Sequence, residues 1–309
     1  MTNRRLNSNS WKKNQGRASL WQWLFYLFSL FCSLLTSLVM PCLLMVAVLG
    51  SYLFFQLSQT RFFEFFTSLS VSSEVDSPVE GVLPLVWGTV VIAFGACLVA
   101  VPLGLATAVY LGEIASFRIR RFLKPIQIIF GLIPSVVYGF VALNFVTPLL
   151  RQCMAYFDIK VEVFNAASAA IVAGIMITPM LSLLAEEVIR SLPQGLREAA
   201  YGLGATRFEV VTQVVLPAAT PGLLACLLLA VSRAIGESMV VAIAAGNSST
   251  FSTDVFSSVQ SLAGWLVEQA KSPVRELSLY VVCLILLFAT LSLHFVSDLL
   301  LRRFRERWQ

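Results

Sequence analysis

Residues 82–111 read VLPLVWGTVVIAFGACLVAVPLGLATAVYL, an apolar run without one charged side chain. A helix needs about 20 mostly apolar residues to cross a bilayer, whereas a strand of a membrane barrel needs only about 10. Lipid offers no hydrogen-bond partners, so a run of this length satisfies its backbone internally, as a helix. Five further blocks are also predominantly apolar, at residues 20–55, 122–150, 166–184, 222–245 and 277–301. The expected fold class is therefore an all-α integral membrane protein with six transmembrane helices.

Composition agrees. The 309 residues are 58% hydrophobic and only 13% charged, against about 25% charged in a soluble domain. Basic residues cluster on one side of the six spans. Arg4, Arg5, Lys12, Lys13 and Arg17 precede the first block. Arg118, Arg120, Arg121 and Lys124 follow the second, and Arg190, Arg197 and Arg207 follow the fourth. Arg302, Arg303, Arg305 and Arg307 close the chain. The opposite side carries Arg61, Arg151, Lys160, Lys271 and Arg275. Cytoplasmic loops hold the excess of Lys and Arg, so both termini are expected in the cytoplasm. The first block exceeds the roughly 7–15 apolar residues of a secretion signal and reads as a retained helix, bent at Pro41.

Four regions follow. Residues 1–19 form a polar, basic tail expected to be disordered. Residues 20–83 hold the first span and an external loop with Glu64, Glu74, Asp76 and Glu80. Residues 84–301 form the transmembrane core, and residues 302–309 a second basic tail. External loops are expected at 151–165 and 247–276, the latter opening with Asn247-Ser248-Ser249-Thr250 and holding a short helix near 259–269.

Several functions are excluded by what is absent. Cys32, Cys42, Cys97, Cys153, Cys226 and Cys283 show no CxxC or metal-ligand spacing, and only Cys153 falls outside a block. His294 is the single histidine, so neither a zinc site nor a catalytic triad is expected. No cofactor is implied. No GxxxxGK[ST] loop occurs, so ATP is not bound by that route. No basic run is interleaved with aromatics in a soluble domain, which argues against nucleic acid.

The loop 186–220 is the longest on the basic side. Pro193 and Gly195 open a short helix, 196–204, and 208–215 reads as a second, stopped by Pro217 and Pro221. Glu198-Ala199-Ala200 and Gly204 put small residues on the first of these. Small side chains let a partner approach the backbone closely, and Glu198 near a helix start suits the dipole. An ordinary turn with a capping carboxylate is the plainer reading.

Glu198-Ala199-Ala200, three residues, Gly204, nine residues, then Val214-Val215-Leu216-Pro217 resembles the EAA loop of binding-protein-dependent ABC importer permeases. Val214 stands where that family usually has Ile. Pro102-Leu103-Gly104-Leu105 and Tyr110-Leu111-Gly112-Glu113 are also similar to it. Ile133-Pro134-Ser135-Val136-Val137-Tyr138-Gly139 and Ser232-Arg233-Ala234-Ile235-Gly236-Glu237-Ser238 resemble the phosphate importer permeases, and Ser238-Met239 looks more like their C-type than their A-type subunit. The resemblance implies a type I ABC importer permease fold in a bacterial inner membrane. It implies that Glu198, Ala199, Ala200, Gly204, Leu216 and Pro217 belong to the segment that couples to a cytoplasmic ATPase. It further implies a second, related permease, an external phosphate-binding protein, and phosphate as substrate.

The residues themselves support an anion path in the fifth block. Arg233 and Glu237 lie within an apolar span, where each costs about 2.5–3.5 kcal/mol on insertion scales. Four residues apart, they share a helix face, and such groups face a bundle interior or a water-filled cavity. The guanidinium fork suits phosphate oxygens, and Glu237 is placed to hold Arg233 between transport events. The alternative is an ion pair that serves packing only. In the third block Ser135 and Tyr138, with Ser238 in the fifth, offer polar groups to line the path. Pro134 bends the helix, and Gly131 and Gly139 allow close contact. Other oxyanions (sulfate, molybdate, phosphonate), an ATP-independent transporter and a membrane phosphate sensor are the competing functions.

Overall fold

The structure, a computed structural model, describes residues 8–57, 65–66, 81–248, 251–270 and 277–308. Arg4, Arg5, Arg61, Glu64, Glu74, Asp76, Glu80, Ser249, Thr250, Lys271 and Arg275 lie outside the described residues. Ten helices are used below: α1 Ser8–Leu57, α2 Leu83–Ile114, α3 Phe117–Leu132, α4 Ser135–Ala155, α5 Ala166–Ser191, α6 Gln194–Gly202, α7 Arg207–Ile235, α8 Met239–Ala244, α9 Leu262–Gln269 and α10 Ser278–Trp308. Among the described residues six helices are long and apolar enough to cross a membrane: Gln22–Leu57, Leu83–Ile114, Ser135–Ala155, Ala166–Ser191, Arg207–Ile235 and Ser278–Phe304. The chain is a multi-pass membrane protein. An even number of crossings puts the start of α1 and the end of α10 on one side, here called the tail side.

The centre is a parallel pair, α2 and α5. Going toward the tail side, Gly95 faces Ala170, Gly104 faces Leu181 and Gly112 faces Ile189. Ala93, Ala96, Ala100 and Ala108 on α2, with Ala169, Ala170 and Ala173 on α5, are all buried. Small residues bring the backbones together, which is how helices gain van der Waals contact where lipid removes the hydrophobic incentive. Gly174 marks the closest point: a Cβ there would stand 2.6 Å from the Ala96 carbonyl oxygen. α10 packs antiparallel on α7, with Ser297 Oγ donating to Ala225 O at 2.9 Å. α1 packs on α10 and leaves most of its surface exposed.

The helix boundaries depart from expectation in places, each with a cause. α1 begins at Ser8, so residues 8–19 are helical rather than disordered. Extending an existing helix needs no new nucleus. Pro41 lies inside α1. Residues 122–150 are not one helix. The chain turns extended at Ile133 (ψ 129°) and Pro134 (ψ 136°), separating α3 from α4, because a proline disfavours helical backbone at the residue before it. Residues 222–245 are likewise interrupted, at Gly236-Glu237-Ser238. Residues 208–215 are not a separate helix: they run on into α7 through a π-turn, Val210–Val215. Pro217 has no N–H for the Gln213 carbonyl and its ring crowds it, and a wider turn relieves the clash. A second π-turn, Ala142–Val146, precedes Pro148 in the same way. Cys153 lies in α4, and all six cysteines are free. The expected external helix is α9, capped by Ser261 Oγ, which accepts from Gly264 N at 3.0 Å.

Candidate functional site

Two places carry the polar chemistry of the fold. The first is the junction of α7 and α8. Arg233 stands in the last turn of α7, and Glu237 lies in the break beyond it. Arg233 Nη1 donates to Glu237 Oε2 at 2.7 Å, and the Val240 amide donates to Glu237 Oε1 at 3.3 Å. Glu237 is buried, with 3% of its side chain exposed, whereas Arg233 is 43% exposed. The carboxylate is thus fixed by both oxygens, while Nε and Nη2 of Arg233 have no partner among the described residues. The pair sits at a helix break rather than in mid-helix. α7 approaches it from the tail side, and short α8 continues to the far side, where Asn165 N donates to Ala244 O at 3.0 Å.

The expected companions of this pair divide. α4 packs on α8, and a Cβ on Gly139 would meet Ile243 at 2.9 Å, so the two broken segments adjoin. Gly131 meets nothing. Tyr138 is buried and its hydroxyl donates to Phe130 O at 2.9 Å. Through this bond it ties α4 to the end of α3. Ser135 and Ser238 are half-buried. Among the described residues neither has a polar contact with Arg233 or Glu237. His294 Nδ1 lies 2.9 Å from Ser232 Oγ and 2.9 Å from Thr290 O, a helix-packing role.

The second place is the tail-side loop. α6 ends in a Schellman turn: Gly204 N donates to Tyr201 O at 2.9 Å and Ala205 N to Ala200 O at 3.1 Å. Gly204 has φ +86°, and a Cβ on it would meet nothing. Its glycine is required by backbone conformation, not by a close neighbour. Thr206 and Glu209 then form a capping box that starts α7. Ala200 is buried against the start of α7, but Glu198 and Ala199 are exposed. Glu198 lies beyond the first turn of α6, so the dipole argument for it does not hold. Leu216 is half-buried and Pro217 exposed on α7, beyond the π-turn.

Residues without a local signal complete this region. Leu203 is 91% exposed and Phe208 76% exposed, with Tyr201 half-exposed beside them. A large apolar residue in a polar loop is the one clue the sequence offers to such a surface. Arg197 Nη2 and Nε donate to Glu113 Oε1 at 2.6 and 3.0 Å. Glu186 is wholly buried between Lys124 Nζ at 3.2 Å and Arg120 Nε and Arg190 Nη1, both at 3.6 Å.

A bundle of membrane-crossing helices with an amphipathic helix presented on one face is the architecture of an ABC importer permease. The chain belongs to the binding-protein-dependent transport system inner membrane components, whose family pattern matches residues 100–308. Its relatives include the probable ABC transporter permease protein YqgH of Bacillus subtilis. The two are 37% identical over 60% of this chain and 58% of that protein. They also include the phosphate transport system permease protein PstC of Pasteurella multocida, 30% identical over 75% of this chain and 78% of that one. Among solved structures, a bacterial ABC transporter that imports the acidic polysaccharide alginate has a chain similar in fold. Its TM-score is 0.61 at 14% identity, covering 93% of this chain and 99% of that one.

Proposed function

We propose that this chain is a permease subunit of an ATP-driven phosphate importer, of the C-type. The observation that carries the substrate is Arg233: one guanidinium nitrogen is held by buried Glu237 and the rest of the fork is exposed and unengaged. A phosphate oxyanion is the ligand such a fork fits best. Several relatives at about 30% identity are phosphate permeases, which favours the same anion. Glu237 keeps Arg233 oriented and lowers the net charge of the site, so the anion is bound weakly enough to leave. Ser135 and Ser238, half-buried on the adjoining segments, are the polar residues assigned to line this path with Arg233.

On the tail side, Glu198, Ala199, Ala200 and Gly204 form the helix that seats in a cytoplasmic ATPase, with Leu216 and Pro217 at the start of the helix that carries the motion inward. Both termini are then cytoplasmic, in agreement with the distribution of Lys and Arg. Hydrolysis belongs to that separate ATPase. A second related permease completes the path, and an external phosphate-binding protein delivers the anion.

The test is ATP-dependent uptake of radiolabelled phosphate into proteoliposomes holding this chain with its partner permease and ATPase, and the binding protein on the external side. Phosphate uptake that excess sulfate, molybdate or phosphonate leaves unchanged is the expected result. Displacement by sulfate, or uptake without ATP, overturns the reading.

A further inference from the structure

The tail-side ends of α2 and α5 have the same electrostatic difficulty. A helix C-terminus leaves its last carbonyls without intrahelical partners. Two arginines meet that need, in a crossed arrangement. Arg120, on α3, caps α2: its Nε donates to Leu111 O at 2.7 Å and its Nη2 donates to Gly112 O at 3.1 Å. The same arginine faces the carboxylate of the other helix, Glu186 on α5, at 3.6 Å. Arg197, on α6, caps α5: its Nη1 donates to Leu192 O at 2.9 Å and its Nη2 to Ile189 O at 2.8 Å. It also faces the carboxylate of α2, Glu113, through three contacts of 2.6, 3.0 and 3.2 Å. Each arginine thus closes the end of one central helix and pairs with an acid of its neighbour.

The consequence is mechanical. α6 is short, and Ala200 is its one buried residue. Among the described residues Glu113 is the only hydrogen-bond partner that α6 has outside residues 189–209, and Arg197 is the residue that reaches it. That contact uses a bidentate, charge-assisted fork with only 17% and 9% of the two side chains exposed, the geometry least able to slip. α3 is held on the same two helices by Arg120 and by Lys124, which pairs with Glu186 at 3.2 Å. At its other end α3 passes through Pro134 into α4, which packs on α8.

We propose that Arg197 and Glu113 are positioning residues of energy coupling. Displacement of α6 reaches the ends of α2 and α5 through this fork, and α3, bound to the same ends, carries it to the α4–α8 junction beside Arg233. The proposal rests on the reading of α6 as the ATPase-coupled helix.

The experiment uses the full transporter in proteoliposomes. E113Q removes the charge, keeps the shape of the side chain, and leaves the bonds of Arg197 to Leu192 and Ile189 in place. The expected result is normal co-purification of the ATPase, continued hydrolysis, and about a tenfold fall in anion carried per ATP, the scale of one charge-assisted interaction lost. E113D, which keeps the charge, recovers most of that ratio. A wild-type ratio in E113Q overturns the proposal. So does equal loss in E113D and E113Q, or failure of E113Q to assemble, each of which makes the fork a folding element. A second measurement needs no substrate and no change at the fork. Spin labels at exposed Gln194 and Phe122, in a chain with its cysteines replaced, keep one separation with and without ATP if α6 and α3 move together. Independent movement refutes the linkage. If the wild-type complex carries another anion, the ratio is measured with that anion, and only the phosphate reading falls.

Discussion

The amide of Ala205 donates to the carbonyl of Ala200 at 3.1 Å, across a Gly204 held at φ +86°. This bond closes α6 and turns the chain sharply into the capping box of Thr206 and Glu209. The turn, more than any contact of Gly204 itself, fixes how α6 stands relative to α7.

Substitution at this position therefore acts through backbone strain. A residue with a Cβ in the left-handed region costs about 1–2 kcal/mol, and asparagine tolerates it best after glycine. G204V is expected to leave the chain inserted while the ATP-driven uptake rate falls severalfold, and G204N to retain most of it. Uptake measured beside the amount of membrane-inserted protein checks this. Equal activity of both variants would assign no role to the turn.

The outer face of α6 makes a separable prediction. The Glu198 side chain is exposed and has no ion pair or hydrogen bond among the described residues, so E198K is expected to change stability by no more than about 0.5 kcal/mol. Leu203 and Phe208 are the exposed apolar anchors, and burial of such a side chain in a partner contributes about 1.5–3 kcal/mol. L203S and F208S should each weaken ATPase binding by tenfold or more, whereas E198K should uncouple hydrolysis from uptake. Affinity of the ATPase for detergent-solubilised permease distinguishes the two effects.

Much of this was legible in the sequence, and the divisions have physical reasons. The six blocks, their order and the short helix α6 follow from local hydropathy and from Pro and Gly, whereas 208–215 joins α7 instead of standing alone. The parallel pairing of α2 with α5 does not, since alanine and glycine contacts carry no directional code. Arg233 and Glu237 stand out because charge in an apolar run is rare, but the break at 236–238 is masked by the apolar residues that resume at 239–245. Nothing in the sequence around Tyr138 shows that the end of α3 supplies an acceptor for its hydroxyl. Arg197 and Glu113 lie 84 positions apart. Each looks like a solvated loop charge until the fold joins them, and Glu186 is the same case with three cations.

The pair Arg233 and Glu237 gives the prediction that bears most directly on transport, because its two halves are unequal. Glu237 is buried and Arg233 is half open. E237Q leaves a half-open cation, which water solvates if Arg233 lines the path proposed above. R233Q strands a buried carboxylate, and breaking a buried pair in that direction costs about 3–5 kcal/mol. The exposed side of Arg233 puts the cost toward the lower end. Both variants should lose phosphate uptake, but R233Q should also lower the unfolding temperature of the purified permease while E237Q leaves it nearly unchanged. R233K keeps the charge and the pairing with Glu237 without the planar fork. It should restore stability and recover uptake only in part. If R233K transports at the wild-type rate, the fork does not recognise the anion. If E237Q and R233Q lose stability equally with uptake intact, the pair serves packing alone.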